Sequence, residues 1–176
     1  FQHFKLIAES VSIDQILYNV PGRTAVDMSV DTTSRLSEIS NIIGIKDATG
    51  DLSVIKELVA KCPEDFLLLT GDDATAIDFL LLGGHGGISV TANVTPKELQ
   101  KAYLAAIAGN AEVAKKLNEG LSGLHKNLFI ESNPIPVKWA LHKMGKCDSG
   151  IRLPLLELSN ECKTVLENDL KELNLI

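Results

Sequence analysis

The chain has 176 residues, a length that suits one domain with a full hydrophobic core. Apolar residues make up 45% and charged residues 23%, and 17 Lys plus Arg against 23 Asp plus Glu leave a net charge of -6. With no basic run longer than Lys115-Lys116 and no apolar run near the roughly 20 residues of a bilayer span, no nucleic-acid or membrane partner is expected. Cys62, Cys147 and Cys162 are odd in number and far apart, which predicts reduced thiols in a cytoplasmic protein instead of a disulfide scaffold.

Residues 1–10 already read as a helix in progress, with Phe1, Phe4, Ile7 and Ala8 near one face and no N-cap residue before them. A boundary inside a helix is unusual, so the chain is expected to be a piece of a longer polypeptide. Next comes the apolar run Gln15 to Val20, ended by Pro21-Gly22, with a helical pattern over Val30 to Ile39. A second run, Ile42 to Lys46, precedes the stripe Leu52, Ile55, Leu58, Val59. A third, Phe66 to Thr70, precedes a helix with Ala74, Ile77, Leu81 and Leu82. The fourth, Gly87 to Thr91, precedes a helix with Leu99, Ala102, Tyr103 and Ala106. Three further helices are predicted: one stripe from Val113 to Leu128, a second over Val137 to Met144, and a third from Leu155 to Leu173.

The strand runs are continuously apolar, as parallel strands covered by helices are. Four βα units fit either a small open α/β sheet or half of an eight-stranded barrel, since a whole barrel takes about 250 residues. In both, the chemistry sits at the C-terminal ends of the strands.

Three residues stand out at those ends. Lys46 closes the run Ile42-Ile-Gly-Ile, with Gly44 two residues earlier leaving room beside it. Strand-end lysines commonly reach solvent, but one drawn into a pocket loses hydration and becomes a Schiff-base nucleophile. Tyr18 reads as a core aromatic or as a proton carrier to a reacting carbonyl. Arg23, after a Pro-Gly turn and followed by Thr24, reads as solvated or as a two-pronged clamp on a carboxylate. Taken together, an amine, a proton carrier and an anion clamp suit a 2-oxo acid captured as an imine. Gly83-Gly-His-Gly-Gly87 precedes its strand, so it reads as a tight connection instead of a phosphate loop, with His85 structural or solvent-facing. His3, His125 and His142 are isolated, and no metal is expected. Asp72-Asp73 reads as helix capping, and Asn133-Pro-Ile-Pro136 as a rigid packing segment.

Leu17-Tyr-Asn-Val-Pro-Gly-Arg-Thr24 and Gly44-Ile-Lys-Asp-Ala-Thr-Gly50 resemble the 4-hydroxy-tetrahydrodipicolinate synthases, formerly dihydrodipicolinate synthases, of the class I pyruvate-dependent lyases. Leu69-Thr-Gly-Asp-Asp73, Gly83 to Asn93 and Asn133-Pro-Ile-Pro-Val-Lys138 follow in the family's order, so the likeness covers essentially the whole chain. The resemblance implies an α/β chain of the (β/α)8 TIM barrel family. It implies strands five to eight plus three C-terminal helices, with residues 1–108 as the second half of the barrel and 109–176 as a C-terminal helical region. It makes Lys46 the imine-forming residue for pyruvate, Tyr18 the proton relay, and Arg23 with Thr24 the grip on the incoming L-aspartate 4-semialdehyde. Gly71 and Ile88 would line the pocket. No cofactor is implied, and the family's habit predicts a homo-oligomer, commonly a homotetramer. Arg23 speaks against a neuraminate lyase or another sugar-acid aldolase, the alternative enzymes.

The same likeness implies what lies elsewhere. The family's Gly-Thr-Thr-Gly-Glu segment, whose threonine joins the relay, has no counterpart in this sequence. Lys46 and Tyr18 are therefore expected as a dyad without its relay, and the 176-residue chain alone is expected to turn over poorly or not at all. The remaining alternative is a non-catalytic half-barrel acting in assembly.

Overall fold

The computed structural model describes residues 1–176. The barrel-like part runs α1 (Gln2–Ser10), β1 (Gln15–Asn19), α2 (Pro21–Thr24), α3 (Val30–Leu36), β2 (Ile42–Asp47), α4 (Leu52–Lys61), β3 (Leu67–Thr70), α5 (Ala76–Leu81), β4 (Gly86–Gly87) and α6 (Pro96–Ile107). Four more helices follow: α7 (Ala111–Glu119), α8 (Ser122–Asn127), α9 (Ile135–Lys143) and α10 (Asn160–Glu172).

The strands form one parallel sheet in the order β1-β2-β3-β4. That order runs in one direction without reversing, which is how a barrel is wound; a doubly wound sheet has a switch point. Side-chain alternation shows which face is covered. Leu17, Ile45 and Leu68 stand in register on one face and are 3%, 1% and 3% exposed. They pack with Leu36, Ile55, Leu58 and Phe79 from the helices, each worth about 1.5–3 kcal/mol for leaving water. Ile16, Tyr18 and Leu67 point the other way and are 44%, 48% and 36% exposed. The helices therefore cover one side of the sheet, and the concave side is open.

Local sequence explains most element ends. Asp51 caps α4, its carboxylate accepting from Ser53 N at 2.8 Å, and Ile55 and Leu58 then share the buried stripe. Ser29 caps α3 and Ser159 caps α10 in the same way. Gly44 is needed where β2 meets β3: a Cβ there would lie 2.7 Å from both Leu67 Cβ and the Leu67 carbonyl oxygen.

Three expectations need correction. The fourth strand is only Gly86–Gly87, not Gly87 to Thr91. Ile88 N still donates to Thr70 O, but Val90 N and Thr91 N turn to the carboxylate of Asp73, which ends the ladder and leads into a 3-10 turn at Thr91–Asn93. The stripe from Val113 to Leu128 is two helices, so four helices follow residue 108, not three. The chain turns at Gly120 because the two halves have different partners. Ala114 of α7 packs with Ile77, Leu80, Ala102 and Ala106, while Leu124 of α8 and Leu128 just after it pack with Val137, Leu166 and Leu170. Val113 and Leu117, on the α7 part of that stripe, are 53% and 39% exposed. Finally, Leu155 and Leu158 precede α10 instead of lying in it. No helix is long and apolar enough to cross a membrane.

Candidate functional site

Lys46 and Tyr18 meet because they are register partners on adjacent parallel strands and both project from the open face. The Lys46 ammonium lies 4.2 Å from the centroid of the Tyr18 ring, within cation–π range. On the other side of Lys46, the chain leaves β3 at Gly71, whose N–H donates to Asp47 O at 2.6 Å. A side chain at Gly71 would stand 2.6 Å from Lys46 Cε, so only glycine leaves the lysine stem its course. Ile88 donates its N–H to Thr70 O at 2.9 Å, which puts it beside the Thr70–Gly71 peptide, and its own side chain is half exposed. Tyr18, Lys46, Gly71 and Ile88 thus occupy successive strand ends of one surface.

Arg23 and Thr24 sit in the short helix α2 directly after β1. Arg23 is exposed and takes part in none of the ion pairs. The Thr24 hydroxyl donates within its own turn, to Val26 O at 2.9 Å, with Val20 O at 3.2 Å. Thr24 therefore shapes the turn that carries Arg23, which closes with Ala25 in the left-handed region at φ 56. Thr24 and Tyr18 also line an open cleft with Phe4, Val20 and Met28.

Two groups that hold this face in place escape a reading of the sequence. Asn19 is 3% exposed; its amide donates to Asp27 Oδ1 at 2.9 Å and to Asp47 Oδ2 at 3.0 Å, and its carbonyl accepts from Met28 N at 3.1 Å. It ties the end of β1 to the end of β2 and folds the Arg23 loop back over both. The signal was present: Asn19 shares the helix-facing side with Leu17, and a polar residue there must find partners.

The second group is centred on Asp73, which is 2% exposed. Its Oδ2 accepts from Val90 N at 3.0 Å and Thr91 N at 3.1 Å, and its buried Oδ1 has no partner. The Thr91 hydroxyl lies 2.9 Å from His125 Nδ1 on α8, and His125 Nε2 lies 3.0 Å from Asn118 Oδ1 on α7. An amide oxygen only accepts, so Nε2 carries the ring proton and Nδ1 accepts from Thr91. The Thr91 hydroxyl is also 3.3 Å from Asp73 Oδ2, but it has one proton and the shorter contact to His125 takes it. Burial pushes the His125 pKa below the ordinary histidine value, against the opposing pull of Asp73 and Asp72. Burial, and then the charge of Asp73, pushes the nearby Tyr103 hydroxyl up, with Ser89 bonding in the opposite sense. Of the residues read as helix caps, Asp72 alone has that kind of role, accepting from Thr75 N at 3.0 Å. His85 is structural, its Nδ1 accepting from Leu68 N at 3.0 Å. No three His, Cys, Asp or Glu side chains converge in a way that could hold a metal ion.

Against known proteins, residues 1–173 match the dihydrodipicolinate synthetase family. The 4-hydroxy-tetrahydrodipicolinate synthase of Ruthia magnifica subsp. Calyptogena magnifica is 62% identical over 176 residues, all of this chain and 60% of the relative. That of Pseudomonas aeruginosa is 56% identical over 172 residues, 98% of this chain and 59% of the relative. Among solved structures, a chloride-inhibited dihydrodipicolinate synthase from Acinetobacter baumannii complexed with pyruvate superimposes with a TM-score of 0.96 at 52% identity, covering 99% of this chain and 60% of that one. The chain thus spans about 60% of the length of the relatives it matches.

Proposed function

We propose, since this chain belongs to the dihydrodipicolinate synthetase family, that it carries the imine-forming half of a 4-hydroxy-tetrahydrodipicolinate synthase. On this reading it contributes strands five to eight of a TIM barrel, and the whole protein condenses pyruvate with L-aspartate 4-semialdehyde in the cytoplasm as a homo-oligomer. The observation that carries the reading is the Lys46–Tyr18 pair: an amine and a phenol held in register at neighbouring strand ends, 4.2 Å from nitrogen to ring centroid.

The chemistry follows from what those groups can do. The unprotonated Lys46 amine attacks the C2 carbonyl of pyruvate to form a carbinolamine. The oxygen leaves as water with two protons, both originating on the amine nitrogen, and Tyr18 is placed to pass them across. Once its nitrogen is protonated the imine acidifies C3; loss of a C3 proton gives the neutral enamine, whose carbon adds to the aldehyde of the second substrate as the aldehyde oxygen takes up a proton and the iminium re-forms. The amino group of the added semialdehyde then attacks C2 and displaces the Lys46 amine, which closes the ring of the product and returns Lys46. Arg23, on its turn beside β1, meets the carboxylate of the incoming semialdehyde. Gly71 keeps the path of the lysine clear, and Ile88 gives the pocket an apolar wall. No resident cofactor enters the scheme, because the protein's own amine is the electrophile trap.

Borohydride reduction in the presence of pyruvate tests the reading on the 176-residue chain itself, because both members of the pair lie in it. Peptide mass spectrometry is expected to find the reduced pyruvyl adduct on Lys46, and Lys46→Ala to abolish it. An adduct on another lysine, or on none, sinks the assignment. Condensation with semialdehyde is expected to be at or near background in this chain, and a sugar aldehyde consumed faster than the semialdehyde by a full-length form would reverse the choice of acceptor.

A further inference from the structure

The segment from Ile88 to Thr91 is unusual in how it is held. It follows a two-residue strand, so the ladder secures only its first residue, through Ile88 N to Thr70 O. Beyond that residue the Val90 and Thr91 carbonyls accept from the turn that follows, at Asn93 N, Val94 N and Thr95 N, while the Val90 and Thr91 N–H groups and the Thr91 hydroxyl are taken by side chains from outside the sheet. Asp73, after β3, takes the N–H groups of Val90 and Thr91. Tyr103 of α6 packs so closely that a side chain at Gly87 would meet its ring at 2.7 Å. His125 of α8 takes the Thr91 hydroxyl, and Asn118 of α7 fixes the ring from behind. The last two come from the helices beyond residue 108, which otherwise touch nothing in the imine chemistry.

Resting on the reading of Lys46 and Ile88 given above, we propose that His125 is a positioning residue: through Thr91 it fixes the Ile88–Thr91 segment and so sets the apolar wall of the pyruvate pocket. The chain of contacts is continuous and its members are all at most 7% exposed at Asp73, Thr91 and His125. A buried polar group is held to its partner because leaving it unpaired costs about 1–3 kcal/mol. Loss of the His125–Thr91 bond therefore frees the Thr91 hydroxyl to seek Asp73 Oδ2 instead, at the 3.3 Å position already beside it. The segment would then be held from one side only. Lys46 and Tyr18, fixed by the β1–β2 register, would stay where they are.

Conservative variants separate this role from general stability. In His125→Asn the shorter amide reaches the position of Nδ1 and keeps Thr91 while releasing Asn118. In His125→Gln the longer amide reaches the position of Nε2 and keeps Asn118 while releasing Thr91. Thr91→Val removes the hydroxyl and preserves shape. In the 176-residue chain, His125→Gln and Thr91→Val are expected to raise the half-saturating pyruvate concentration for borohydride trapping about fivefold, the equivalent of one hydrogen bond. The limiting trapping rate should stay within about twofold of the original, because the reacting groups are untouched. Amide exchange at Val90 and Thr91 should quicken in the same two variants, while His125→Asn keeps both readouts near the unsubstituted protein. Unchanged half-saturation and exchange in all three variants overturn the clamp. So does an equal loss in all three that follows thermal stability, since that is a fold effect. An unsubstituted chain that forms no adduct at any pyruvate concentration overturns instead the imine reading on which the inference rests, whatever exchange at Val90 and Thr91 shows.

Discussion

A Cβ built on Gly71 would sit 2.6 Å from Lys46 Cε and 3.0 Å from Ala48 Cβ. The nearer of these belongs to a flexible stem, so the fold can absorb the change by moving the lysine. Gly71→Ala is therefore expected to lower the melting temperature by no more than about 4 °C, the shift of about 1 kcal/mol in a domain of this size. It should slow borohydride trapping by about tenfold or more, because a reacting atom displaced by about 1 Å loses up to two orders of magnitude. Calorimetry and adduct formation measured on the same preparation check both halves. A large stability loss with an unchanged trapping rate would mean that the backbone, and not Lys46, gives way. The residues on this surface differ in how legible they were. Lys46 and Tyr18 are polar or amphipathic residues near the ends of apolar runs, so local sequence pointed to strand-end positions for both, and the register sets them side by side. His125 is 34 positions from Thr91, on a different helix, and nothing near it in sequence reports that partner. Asp73 was legible only as a cap, because a carboxylate beside a helix start has that use by default.

Among the elements, the strands and most helices followed from periodicity, while the errors fell where a tertiary partner decides. β4 stops at Gly87 because Asp73 takes the Val90 and Thr91 amides that would extend its pairing, and α7 parts from α8 because their apolar residues face different helices. The same junction between α8 and the end of β4 predicts a pH response. His125 has its folded pKa lowered, chiefly by burial and against Asp73 and Asp72, from an unfolded value near about 6.5. The unfolded chain therefore binds more protons in the window below that value, and stability falls as pH falls. The contribution is complete above the unfolded pKa and is lost as pH drops toward the folded one. Protonation also reverses the contact, since Nδ1–H would donate to Thr91 and turn its hydroxyl toward Asp73. The melting temperature is expected to drop more steeply between pH 7 and pH 5 in the original chain than in His125→Asn. Parallel curves would show that His125 does not titrate with folding.

At the scale of the molecule, the single direction of the strand order and the covered and open faces distinguish a barrel arc from a doubly wound sheet, which the sequence pattern alone left undecided. The open face also has a physical consequence for a chain of this length. Ile16, Tyr18 and Leu67 are 36% exposed or more on the concave side, and β1 has no strand on its outer edge. An unpaired edge presents N–H and C=O groups ready to bond, and an apolar face beside it favours association. The helices expose apolar residues too, Leu104 at 59% and Ile107 at 50% among them, but their backbone groups are bonded within each helix, and charge pairs such as Lys61–Asp31, Lys115–Asp78 and Lys171–Glu167 lie among those residues. The net charge of -6 opposes contact between copies only over a Debye length of about 8 Å at physiological salt. We therefore expect the 176-residue chain to self-associate through the sheet. Light scattering should give a mass above the 19.0 kDa of one chain that rises with concentration and with salt. Ile16→Lys, which puts a charge on the open face without entering the Lys46–Tyr18 pair, should shift the distribution toward monomer. A monodisperse monomer across the concentration range, or an assembly indifferent to Ile16→Lys, would show that the concave face is not the surface that brings copies together.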